Sequence, residues 1–216
     1  MKVLRSLKRI CDLFRIFLLT KEIKLTDFLR NLFGKLLNTI AGFFNSIGIS
    51  PDLMTILGVF GNFLAAWFIA KGDLINGGLF VLFFGLFDAV DGSMARLKGG
   101  ETKFGAFLDS VLDRYSELAI FFGLLVYSIK NSNPVSCFLV FLAAAGSVLV
   151  SYIRARAQAL GVDTKIGILT RVERYLVIVP SLLLNRPDIG LWIIAILGNF
   201  TAFQRIWHVR QQLKQG

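Results

Sequence analysis

The chain has 216 residues, of which 55% are hydrophobic, 21 are phenylalanine and only 18% are charged; its mean hydropathy is +0.67. The apolar residues gather in blocks of about 20, the length that crosses a hydrocarbon core of roughly 30 Å, which excludes a soluble fold built on one large core. A net charge of +10 without a nucleic-acid motif points to basic flanks lying against anionic lipid headgroups, not to nucleic acid.

Residues 1–46 read as an amphipathic, cytoplasmic juxtamembrane segment of one or two helices. Between Leu4 and Leu19 apolar residues recur at helical spacing, while Arg5, Lys8, Arg9, Asp12 and Arg15 take the other face. Charges interrupt every apolar run there, which argues against a signal peptide. Cys11 and Cys137 share no motif spacing and give neither a disulfide framework nor a metal site.

The remainder, 47–216, reads as one all-α, integral-membrane domain of six transmembrane helices. The spans run from about Asp52 to Ala70, Leu74 to Met94, Phe104 to Ile129, Pro134 to Leu160, Leu169 to Leu184 and Ile189 to Trp207. Turn signals such as Lys71-Gly72-Asp73, Lys98-Gly99-Gly100 and Asn131-Ser132-Asn133-Pro134 separate them. Most Lys and Arg outside the spans lie at one set of helix ends, with Lys71, Lys130 and Arg186 at the other. The positive-inside rule then places both termini in the cytoplasm of a multi-pass cell-membrane protein.

The second and third spans carry the chemistry. Asp88 and Asp91 are three apart, Asp109 and Asp113 four apart, so on helices each pair shares a face and the two pairs can confront each other. A carboxylate at mid-membrane depth costs about 2.5–3.5 kcal/mol, so four together need compensation. Arg96 and Arg114 bring two positive charges; two Mg²⁺ ions, or Mn²⁺, would bring four, and oxygen ligands without Cys or His suit those metals. His208 lies far from this cluster in sequence. Gly92 and Ala95 leave room for a ligand to approach the backbone, and Arg96 is placed to grip phosphate. Intramembrane acids also mark ion pathways, so a cation transporter is the rival of another class.

The run D-x2-D-G-x2-A-R-x8-G-x3-D-x3-D from Asp88 to Asp113 resembles the signature of the CDP-alcohol phosphotransferases, with every fixed position filled. The resemblance implies a six-span, usually homodimeric enzyme that transfers a phosphatidyl or archaetidyl group from CDP-diacylglycerol or CDP-archaeol to an alcohol, releasing CMP. It implies that Asp88, Asp91 and Asp109 ligate one metal, and Asp88, Asp109 and Asp113 a second. Asp113 would also take the acceptor hydroxyl's proton. Gly92, Arg96 and Thr102 match CDP-contacting positions, and Pro51-Asp52-Leu53-Met54-Thr55 resembles the family's other nucleotide segment. That segment also reads as a helix cap, with Ser50 or Asp52 capping and Pro51 in the first turn.

Arg154, Arg174 and Arg205 converge near the cytoplasmic side, and a pocket of arginines suits a phosphorylated acceptor. Arg156 and Arg171, taken singly, read as ordinary flank anchors. The segments SYIRARAQALG, RVERYLVI and FQRIW resemble the branch that makes phosphatidylinositol phosphate from inositol phosphate, where Arg154, Arg174 and Arg205 match acceptor-phosphate positions. Transfer to glycerol 3-phosphate, as in phosphatidylglycerophosphate synthases, is the nearest alternative.

Overall fold

Proline, glycine and short polar residues set where the helices start and stop. In the computed structural model, which describes residues 22–100 and 102–214, seven helices follow one another, and no strand occurs among the described residues. They are α1 (Glu22–Ser46), α2 (Pro51–Lys71), α3 (Leu74–Leu97), α4 (Lys103–Lys130), α5 (Pro134–Ala159), α6 (Arg171–Leu183) and α7 (Pro187–Gln212). Ser50 caps α2 by accepting the Leu53 N–H at 3.2 Å, and Pro51 follows at the helix start, where a missing N–H loses no bond. Asn133 and Pro134 repeat the device at α5. Gly72, at φ +91°, lets its own N–H and that of Asp73 turn back onto Ile69 and Phe68, reversing the chain into α3.

Four helices, α2, α3, α5 and α7, are long and apolar enough to cross a membrane. The expected third and fifth spans fall to α4 and α6, which are not of that kind. α4 carries Asp109, Asp113, Arg114 and Glu117 along its length. α6 has 13 residues, about 20 Å of helix. The outside of the bundle is apolar: Phe60, Phe122, Phe141 and Phe203 are each more than 60% exposed. Such a surface fits a multi-pass membrane protein, where lipid takes the place of a partner. The amphipathic stretch from Leu4 to Leu19 lies outside the described residues. The end of α1 packs against α3, with Ala41 buried beside Met54, Val90 and Met94.

Close backbone approach fixes the frame of the site. A methyl group at Gly123 would lie 2.5 Å from the Ala66 carbonyl oxygen, so α4 rests directly against α2 at that level. Gly123 is ten residues, about 15 Å, further along α4 than Asp113. On the other side, Asn199 of α7 donates to the carbonyls of Leu142 and Ala195 at 3.0 and 2.8 Å. A single apolar core joins α2 through α7, with Ile69, Val81, Leu124, Ala143, Leu182 and Ile194 at its centre.

Candidate active site

α3 and α4 bring the acidic residues together where the loop between them begins. Asp88, Asp91 and Asp109 each place a carboxylate oxygen within 4.8 Å of the others. Asp91 is held from a third helix: the Thr55 hydroxyl of α2 donates to its Oδ2 at 2.6 Å. Asp113, one turn beyond Asp109, is buried and faces guanidinium groups. Its Oδ2 accepts from Arg114 at 3.1 Å, and its Oδ1 pairs with Arg171. The same Arg171 nitrogen reaches Asp88 Oδ1 at 2.9 Å. Asp88 thus belongs both to the group of three and to the Arg171–Asp113 pair.

A cavity of about 330 Å³ opens beside the group of three. Asp88, Asp91 and Asp109 line one part, and Pro51, Asp52, Thr55, Gly92 and Thr102 line the rest. Five of the eight residues expected to contact a CDP group therefore face one space with three aspartates. Met54 does not, because it is buried in the α1–α3 contact, and Leu53 points outward with 45% of its surface exposed. Arg96 also stands off the cavity and donates to the Ser93 hydroxyl at 2.7 Å. Thr102 has a structural duty as well: its hydroxyl accepts the Gly105 N–H at 2.9 Å and caps α4. Lys98 joins the cavity wall, adding a cation whose sequence position speaks only to orientation.

A smaller space, about 20 Å³, lies deeper between Asp88, Asp113, Asn62, Ser116, Arg171 and Tyr175. Asn62 is 4% exposed; its amide donates to Gly58 while its buried Oδ1 has no partner. A volume of this size holds about one water molecule.

The expected acceptor arginines are placed differently from one another. Arg154 is half-buried near the end of α5. Arg174 is 2% exposed, with a two-pronged pair to Glu117 at 2.6 and 3.2 Å and a bond to the Leu169 carbonyl. Arg205, also buried, donates to Val150 and Ile166 carbonyls at 2.8 Å each. Both therefore brace the segment joining α5 and α6, as does Thr201, whose hydroxyl accepts the Leu169 N–H. Three charged residues of the site are not singled out by the sequence: Glu117, which carries no motif, and Lys98 and Arg171, which read as flank cations. Glu117 lies four residues after Asp113, one turn on, and that spacing is the only available signal.

The donor set fits a divalent cation: three carboxylates on two helices, one oriented by a hydroxyl, with no Cys or His in the group among the described residues. A space of nucleotide dimensions beside them fits a phosphate-bearing ligand.

Known proteins resemble this chain over most of its length. An archaetidylinositol phosphate synthase of Pyrococcus horikoshii is 36% identical over 172 residues, covering 79% of this chain and 89% of that one. The crystal structure of Mycobacterium tuberculosis phosphatidylinositol phosphate synthase with CDP-DAG bound superposes with a TM-score of 0.75 at 33% identity, covering 81% of this chain and 94% of that one. The structure of the same enzyme in complex with manganese and citrate also gives 0.75 at 33% identity, over 80% and 88%. The CDP-alcohol phosphatidyltransferase family profile matches residues 48–203, a stretch that includes all four aspartates, the cavity beside them and Arg174, and that stops just short of Arg205. This chain belongs to the CDP-alcohol phosphatidyltransferase family.

Proposed function

We propose that this protein transfers a phosphatidyl or archaetidyl group from a CDP-linked lipid to inositol phosphate and releases CMP. The observation that carries the reading is the single cavity in which Asp88, Asp91 and Asp109 meet the Pro51–Thr55 helix start, Gly92 and Thr102. Relatives named archaetidylinositol phosphate synthase and phosphatidylinositol phosphate synthase support the choice of alcohol. Membership of a transferase family removes the ground for a cation transporter.

In this reading Asp88, Asp91 and Asp109 hold one divalent cation, and Asp88, Asp109 and Asp113 a second. When bound, Mg²⁺ or Mn²⁺ there supplies neutralisation of the pyrophosphate and of the departing CMP. The protein's own groups do the positioning. Thr55 fixes Asp91, and the bare backbone at Gly92 leaves space for the phosphates. Pro51, Asp52, Thr55 and Thr102 border the nucleotide. Asp113 accepts the proton of the acceptor hydroxyl as its oxygen bonds to phosphorus; the phosphorus–oxygen bond to CMP breaks, and CMP keeps the electron pair. Arg154, Arg174 and Arg205 provide the positive field for the acceptor's phosphate.

The α4 and α6 helices complete a six-span bundle with α2, α3, α5 and α7, with Asp113, Arg114 and Glu117 of α4 and Arg171 and Arg174 of α6 paired inside it. Residues 1–46 form the cytoplasmic juxtamembrane segment. Both termini and the site face the cytoplasm of the cell membrane, and two copies form a homodimer. Purified protein given CDP-diacylglycerol and Mg²⁺ is expected to release CMP with inositol phosphate. Release with glycerol 3-phosphate alone would overturn the choice of acceptor, and release with neither would overturn the function.

A further inference from the structure

Arg171 holds a position that its flank location does not explain. It is the first residue of α6, yet its guanidinium turns inward to Asp88 on α3 and Asp113 on α4. A single Nη2 atom contacts both carboxylates, so the side chain fills the gap between them. Arg114 takes the other oxygen of Asp113. The gap that Arg171 fills lies beside the group formed by Asp88, Asp91 and Asp109, with Asp88 shared between the two halves.

Charge balance limits how many cations the cluster can hold. Four carboxylates are balanced by the two guanidiniums of Arg114 and Arg171 together with one divalent cation. A second divalent cation leaves the cluster with an excess of positive charge unless an anion arrives or Arg171 withdraws. It must also take oxygens of Asp88 and Asp113 that Arg171 already holds.

We propose that Arg171 is a resident counter-cation that competes with the second divalent cation for Asp88 and Asp113. The two halves of the cluster are consequently unequal: the Asp88–Asp91–Asp109 half binds a cation tightly, and the Asp88–Asp113 half binds one weakly while Arg171 is in place. This inference rests on the reading of the four aspartates as a metal site. Arg171 is a positioning residue in this scheme, and it makes occupancy of the second position depend on an incoming anion such as the pyrophosphate of the donor.

The test is equilibrium binding of Mn²⁺ to the full chain in detergent, monitored by the loss of free-ion paramagnetic resonance signal. Wild type is expected to bind one Mn²⁺ tightly and a second weakly. Arg171→Gln removes the charge and keeps a side chain of similar length, and is expected to tighten the second step by about tenfold or more. Arg171→Lys keeps the charge but loses the planar fork, and is expected to tighten that step less. The Lys variant alone decides the matter in the same way if the Gln variant does not fold. A second step as weak in either variant as in wild type, or two equally tight steps in wild type, overturns the proposal. Loss of all tight binding in Asp91→Asn shows that the metal site itself stands; tight binding that survives this change overturns the metal reading as well.

Discussion

Thr55→Val isolates the hydrogen bond by which α2 reaches the acidic cluster. Valine matches threonine in shape, so the change removes the hydroxyl and leaves packing nearly intact. The lost contact is a 2.6 Å bond to Asp91 Oδ2, in a residue only 6% exposed, where water cannot readily replace it. A hydrogen bond to a charged group contributes about 1.5–3 kcal/mol, which corresponds to roughly 10- to 150-fold in an equilibrium constant. The loss falls on the orientation of a metal-binding carboxylate, and changes of this kind commonly lower metal affinity or activity by about 10–100-fold. Mn²⁺ affinity and the rate of CMP release should therefore both drop by a factor in that range in Thr55→Val, with Thr55→Ser close to wild type. Unchanged Mn²⁺ affinity and rate in the valine variant would refute the assignment of Thr55 as the residue that orients Asp91.

Asp113→Asn is expected to abolish CMP release while leaving the tight Mn²⁺ step in place; a near-normal rate removes the assigned base. Gly105→Val fills space 3.0 Å from the Thr102 hydroxyl and 3.3 Å from Asp52, and should chiefly raise the apparent KM for the CDP-lipid. An effect confined to the acceptor would contradict the placing of the nucleotide there. Glu117→Gln leaves the Arg174 guanidinium, 2% exposed, without its counter-charge, and breaking a buried pair in this way costs about 3–5 kcal/mol. Thermal unfolding in detergent should show a drop of several degrees, and an unchanged Tm would show that the pair contributes little.

Local signals of helix start and stop are legible in the sequence because they act through neighbouring residues. Ser50-Pro51, Lys71-Gly72-Asp73 and Asn133-Pro134 each produce the expected boundary, since capping and left-handed turns depend on a few adjacent side chains. The convergence of Asp88, Asp91 and Asp109 is legible from spacing on two helices joined by a short loop. The partners of charged side chains are not. Arg171 and Arg156 look alike in sequence, both arginines at the end of an apolar run, yet Arg171 reaches Asp88 and Asp113 while Arg156 is exposed. Which way a long side chain turns depends on helices distant in sequence. Arg174 illustrates the same limit: its charge stands out in the sequence, but its partner on α4, Glu117, does not. Span lengths are blurred for a related reason. Sequence hydropathy treats Leu169 as the start of the fifth span, whereas α6 begins at Arg171, with Leu169 buried in the preceding loop by its bonds to Thr201 and Arg174.

The most direct measurement is the position of Mn²⁺ by anomalous X-ray scattering from crystals of the protein grown with the metal. A peak enclosed by the carboxylates of Asp88, Asp91 and Asp109 is the predicted result. A protein that binds Mn²⁺ only elsewhere, or shows no peak between α3 and α4, would contradict the use of these aspartates as a metal-dependent transfer site.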